Sequence, residues 1–147
     1  MIERKEYMSL LEKWKDRKII KVVTGIRRCG KSSLLRMFRD KLLLSGVDES
    51  CVQEYNFENL DNERFLDYRE LYSEVKKHLR ADGMNYLFFD EIQLVDQFQK
   101  VIDSLFLLDN VDIYVTGSNA YLLSGEIATL LTGRYVEIQL YPFSFQE

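Results

Sequence analysis

Gly25-Ile26-Arg27-Arg28-Cys29-Gly30-Lys31-Ser32 has the spacing G-x-x-x-x-G-K-[ST], and the chemistry open to that spacing is the holding of phosphate chains. Its glycines let the backbone curl until successive N–H groups converge on anionic oxygens, and the start of the following helix adds positive potential. Lys31 would reach the β- and γ-phosphates, and the Ser32 hydroxyl is a hard oxygen suited to Mg2+, which keeps most of its octahedral shell as water and phosphate. Nucleotide contacts are therefore expected from Gly25, Ile26, Arg27, Arg28, Cys29, Gly30, Lys31, Ser32 and Ser33.

Two carboxylates form the second constellation. Tyr86-Leu87-Phe88-Phe89-Asp90-Glu91 is an apolar run that ends in acid, which in a parallel sheet emerges at the same carboxyl edge as the phosphate loop. This is the Walker B arrangement: Asp90 would hold the Mg2+ shell, and Glu91 would orient or deprotonate a water beside the γ-phosphate. The same acids also suit a helix N-cap after a buried strand. Thr116-Gly117-Ser118-Asn119 closes another apolar run. There Ser118 or Asn119 would sense the γ-phosphate or the attacking water, although either side chain would serve as a simple cap. No asparagine begins the N-K-x-D pattern that reads guanine, so the nucleotide is expected to be ATP.

These groups need a scaffold that brings strand ends together. Glycines at 25, 30, 46, 83, 117, 125 and 133 punctuate the 147 residues into alternating elements. Amphipathic helices are read at about 2–14, 31–45, from about 62 through the seam Phe65, Tyr68, Tyr72, Val75 and Leu79, at 96–108, and at about 119–131. In the first of these, Ile2, Tyr7, Leu10, Leu11 and Trp14 form the expected apolar face. Strands are read at 19–24, 51–57, 86–89, 111–116 and 135–140. Alternation of this kind implies an α/β fold, a parallel sheet covered on both faces by right-handed crossovers. The runs 19–24, 86–89 and 111–116 are the most apolar, as strands buried on both faces should be. The mixed run 51–57 and the alternating run 135–140 read as edges.

Composition narrows the rest. With two cysteines and one histidine, neither a disulfide framework nor a Cys/His zinc site is available, so a metal would take oxygen ligands. A net charge of -4 makes no overall electrostatic case for nucleic acid. No apolar run approaches the roughly 18 residues that would suggest a membrane span, and Glu3, Arg4, Lys5 and Glu6 interrupt any secretory signal, so the protein is expected to be cytoplasmic, with no membrane partner.

Taken together, T-G-I-R-R-C-G-K-S at 24–32, F-F-D-E-I-Q at 88–93, T-G-S-N at 116–119, T-G-R-Y at 132–135 and the closing Y-P-F-S-F-Q-E resemble the AAA+ ATPases, and within them a prokaryotic AAA domain group of mostly uncharacterised ATP-binding proteins. The resemblance implies a P-loop NTPase three-layer sandwich whose five-stranded parallel sheet is ordered 5-1-4-3-2. It also implies that Arg134 stands where these proteins carry an arginine finger, acting on a neighbouring copy. Family members usually continue into a helical lid with a second sensing arginine, so residues 1–147 correspond to the ATPase core without lid or C-terminal region. The expected function is Mg2+-dependent ATP binding and hydrolysis, with ADP as product, that drives or switches a protein or nucleic-acid partner. Homo-oligomers would form in a full-length context, with the short chain monomeric. Two alternatives stay open: a nucleotide-gated module that holds ATP without turning it over, and a small-molecule P-loop kinase, against which Glu91 argues.

Overall fold

The computed structural model describes residues 2–26, 29–118 and 134–141. Five strands, β1 (Ile20–Thr24), β2 (Val52–Asn56), β3 (Asn85–Asp90), β4 (Val111–Gly117) and β5 (Tyr135–Gln139), pair in the order β2-β3-β4-β1-β5. Every pairing is parallel. This is the sheet order that the resemblance implies, and the burial of each strand shows why composition could separate the central strands from the edges. β1, β3 and β4 are buried at every position, whereas β2 and β5 alternate with exposed or half-buried residues. A strand with a neighbour on each side and a helix layer on each face buries every side chain, so its residues are mostly apolar and a polar one must find a partner within the protein.

Helices α1 (Ile2–Trp14) and α2 (Lys31–Leu44) cover one face, and α3 (Tyr68–His78) and α4 (Phe98–Phe106) cover the other. Because side chains alternate along a strand, each central strand feeds two cores. Val23, Phe88 and Tyr114 pack with Leu34, Phe38 and Leu42 of α2 and Leu11 of α1. Val22, Phe89, Ile113 and Val115 pack with Leu71, Val75, Val101, Ile102 and Leu105 of α3 and α4. No helix among the described residues is long and apolar enough to cross a membrane.

Two helix readings are corrected. The segment expected to be helical from about residue 62 is a 3-10 turn over Leu60–Leu66, and α3 begins only at Tyr68. Asp67 separates them: its backbone is extended and its carboxylate accepts from the Arg69 N–H, so it caps α3 instead of continuing a longer helix. Phe65 still packs against the core from the turn. In α1, Leu11 is fully buried while Leu10, pointing about 100° away from it, is exposed. The expected helix at 119–131 lies outside the described residues.

Two charged residues sit within the central strands, where neither was expected. Lys21 of β1 and Asp112 of β4 are fully buried and paired, Nζ to Oδ1 at 2.5 Å. Lys21 also donates to the Arg17 carbonyl, and the other oxygen of Asp112 accepts from the Asp16 N–H and the Tyr114 hydroxyl, each at 2.9 Å. Tyr86 donates to the Asp16 carboxylate at 2.6 Å. Burial pulls Lys21 below its ordinary value and pushes Asp112 above its own, each shift partly offset by the partner's charge. The network fastens the turn after α1, where Asp16 holds a left-handed φ of 64°, to the amino end of the sheet.

Candidate functional site

The opposite, carboxyl edge of the sheet gathers the ends of β1, β3 and β4. The loop leaving β1 fits only without side chains at its first glycine: a Cβ on Gly25 would lie 2.5 Å from Cys29 Sγ and 2.7 Å from the Leu140 carbonyl oxygen. At the other end Gly30 has φ 99°, a conformation glycine adopts without steric cost, and no side chain caps α2 there. The helix start thus keeps its positive end for a ligand and not for an acidic cap. Cys29 is buried in the loop, and burial raises its thiol above the ordinary value. Ile26 and Ser33 are exposed beside it, and Arg27 and Arg28 lie outside the described residues.

Lys31 is buried at the first turn of α2, and its ammonium donates to the carbonyls of Gly25 and Ile26 at 2.9 and 3.1 Å. It also stands 3.4 Å from Glu91 Oε2. From the same turn, Ser32 donates its hydroxyl to Asp90 Oδ2 at 2.5 Å. Thus the sequence pairs 31–32 and 90–91, nearly sixty residues apart, meet as two adjacent contacts.

A hydroxyl and a carboxylate side by side are a donor set for a hard cation. No cluster of three or more His, Cys, Asp or Glu able to hold a metal by protein ligands alone exists among the described residues. Ser32 and Asp90 therefore fit Mg2+, which takes one or two protein oxygens and completes its shell with phosphate and water. A polar cavity of about 270 Å³ opens beside them, lined by Arg36, Asn56, Asn59 and Asn62 among others.

The structure adds a residue that sequence reasoning passed over. Thr116, buried at the end of β4, donates its hydroxyl to Asp90 Oδ1 at 2.5 Å and accepts the Glu91 N–H at 2.8 Å. One side chain thereby holds the carboxylate of Asp90 and the backbone of Glu91. Its signal in the sequence is its place at the head of the T-G-S-N block, before the glycine. Glu91 is held in a left-handed conformation, φ 61° and ψ 51°, which turns it back over the strand ends. Such a backbone costs free energy for a residue with a Cβ and collects at functional sites.

Two buried side-chain atoms have no hydrogen-bond partner among the described residues, Gln93 Oε1 and Ser118 Oγ. Ser118 follows β4 at the same sheet edge, so the residue expected to sense a ligand carries an unmet hydroxyl there; Asn119 lies outside the described residues. Arg134 lies elsewhere. At the amino end of β5 its carbonyl accepts from Ile20 N–H and its guanidinium donates to Asp103 at 3.0 Å, over the Phe106 ring. Parallel pairing of β5 with β1 puts it at the sheet edge opposite Lys31.

Comparison with known proteins bears on the family and the fold. The profile of a family described as an AAA domain matches residues 17–147. An uncharacterised protein of Haemophilus influenzae is 43% identical over 148 residues, covering 100% of this chain and 37% of its own length. One of Methanocaldococcus jannaschii is 34% identical over 130 residues, covering 87% and 27%. The chain therefore spans about a third of the length of the curated relatives it matches. Among solved structures, the Drosophila ORC bound to DNA superposes with a TM-score of 0.64 at 13% identity, covering 96% of this chain and 91% of that one. Caenorhabditis elegans PCH-2 superposes at 0.62 with 18% identity, covering 95% and 42%. At such identities the likeness is one of fold.

Proposed function

Because the chain belongs to the AAA domain family, whose domains bind nucleotide, we propose that it is an Mg2+-dependent ATP-binding core that hydrolyses ATP to drive or switch a partner. The observation that carries this reading is the meeting of Lys31, Ser32, Asp90 and Glu91 at one strand edge. Lys31 and the loop backbone bind the β- and γ-phosphates. Ser32 and Asp90 hold the metal, which when bound neutralises charge developing on the phosphate oxygens. Thr116 keeps Asp90 and Glu91 in register, Glu91 takes the proton of the attacking water, and Ser118 or Asn119 reports the γ-phosphate. Arg134 serves the site of a neighbouring copy, a role supported by its place at the edge far from its own phosphate loop. Catalysis would then need assembly, and an isolated copy would turn over slowly, since an arginine finger contributes about 10³–10⁵ in rate.

The test separates binding from chemistry by calorimetry and steady-state phosphate release. Glu91→Gln is expected to bind Mg·ATP like the parent chain while release falls by about 10²–10⁴, the usual contribution of a general base. Turnover equal to that of the parent would remove Glu91 from the mechanism. Mixing Arg134→Ala with Lys31→Ala protein is expected to restore activity that each lacks alone. One observation favours a second reading, a nucleotide-gated module that holds ATP: Lys31 pairs with Glu91 and ties down the would-be base. Binding without release at any protein concentration would select it.

A further inference from the structure

Gln93 occupies the short turn Ile92–Leu94 directly after Glu91, between the fully buried Ile92 and the nearly buried Val95. Its Nε2 donates to Glu91 Oε1 at 2.6 Å. A carboxylate only accepts, so the amide must turn its NH2 toward Glu91, and this orientation commits its oxygen to another partner. That oxygen is buried and has none. A buried acceptor without a donor is costly, and such atoms in folded proteins call for an explanation in function or in a missing ligand.

We propose that Gln93 is the second residue that holds the attacking water, with its Oε1 as acceptor and its Nε2 as the anchor of Glu91; this rests on the hydrolytic reading above. A water poised for in-line attack must point a lone pair at the γ-phosphorus, so both of its protons face away from the phosphate and each requires an acceptor. Glu91 supplies one and Gln93 Oε1 the other. At present Lys31 lies against Glu91 Oε2. Phosphate competes for its ammonium and draws it off, which vacates the space beside the carboxylate while the Gln93 contact keeps Glu91 in place. In the step itself the water oxygen bonds to the γ-phosphorus. The bond from that phosphorus to the bridging oxygen breaks, and its electron pair leaves on ADP. One water proton passes to Glu91 and onward to solvent, and the other stays on the phosphate released.

The experiment compares the parent chain with Gln93→Met, similar in length and without polar hydrogen-bonding ends, at protein concentrations high enough for copies to meet. Affinity for Mg·ADP is measured with and without aluminium fluoride, which with ADP imitates the transferring phosphoryl group and its in-line water. Phosphate release is followed alongside. The parent is expected to gain affinity when aluminium fluoride is added. Gln93→Met should bind Mg·ADP within about twofold of the parent, lose at least tenfold of that gain, and lose turnover with KM nearly unchanged. A merely structural glutamine would instead lower ADP affinity and thermal stability together. Undiminished gain and turnover in Gln93→Met would overturn the inference while leaving the hydrolytic reading intact. A parent that binds Mg·ADP, gains nothing from aluminium fluoride and releases no phosphate would overturn the hydrolytic reading and the inference with it. Should Gln93→Met not fold, Gln93→Asn, one methylene too short to reach, carries the same expectation, and full activity in it overturns the proposal.

Discussion

Two lysine–carboxylate pairs stand at opposite edges of the same sheet, and they are built in opposite ways. Lys21–Asp112, at the amino end, is 2.5 Å long with side chains 0% and 1% exposed, and its oxygens and ammonium meet Arg17, Asp16 and Tyr114 as well as each other. Lys31–Glu91, at the carboxyl end, is 3.4 Å long and sits beside a left-handed Glu91 whose glutamine neighbour has an unmet acceptor. A polar network that satisfies itself leaves nothing to recruit and rigidifies the fold around it. A network left incomplete has places that a ligand can complete.

Substitutions can break this contrast. The largest effect is expected at Asp112→Ala, which strands a buried ammonium and should cost about 3–5 kcal/mol of stability in urea unfolding. Nucleotide affinity of the folded fraction should be unchanged. A cost below about 1 kcal/mol would mean that the inner pair is no more structural than the outer one. Next, Lys31→Ala should weaken Mg·ATP binding by roughly tenfold to a hundredfold in calorimetry, the worth of a charge-assisted hydrogen bond, while shifting the unfolding midpoint little. If it destabilises the chain as strongly as Asp112→Ala, the two pairs are alike and the comparison fails.

Smaller effects sharpen it. Thr116→Val keeps the shape of a buried side chain but leaves the Glu91 N–H without its acceptor, and should cost about 1 kcal/mol or somewhat more. The expected signature is a loss of phosphate release larger than the loss of ATP affinity, because both carboxylates drift while the phosphate loop stays intact. Equal losses would assign Thr116 to packing alone. Smallest of all, Arg134→Ala removes a partly exposed ion pair with Asp103 and should change stability by less than about 1 kcal/mol. A large destabilisation there would show Arg134 to be a structural residue of its own chain and argue against its proposed service to a neighbour.

Much of the site was legible in the sequence because its chemistry is local. The phosphate loop needs glycines at Gly25 and Gly30, where the chain passes too close for a Cβ or adopts a left-handed φ, and needs Lys31 and Ser32 in the first turn of the next helix. Asp90 and Glu91 were legible because a carboxylate ending a wholly apolar strand has few reasons to be there. Which strands are central was legible too, since a strand covered on both faces is mostly apolar and an edge strand need not be.

What the sequence left open are relations between residues distant in the chain. Lys21 and Asp112 look like solvent-facing charges in two separate strands until parallel pairing sets Lys21 beside Tyr114 and brings the carboxylate of Asp112 to its ammonium. Thr116 is an ordinary strand threonine until β4 lies against β3 and puts its hydroxyl between Asp90 and the Glu91 N–H. Local steric and electrostatic requirements are written into residue type and spacing, and so the sequence alone determined which strands are central and where the chain after the first strand needs glycine. Which polar groups satisfy one another, and which are left waiting for a ligand, depends on distances across the sheet that only the packed structure decides.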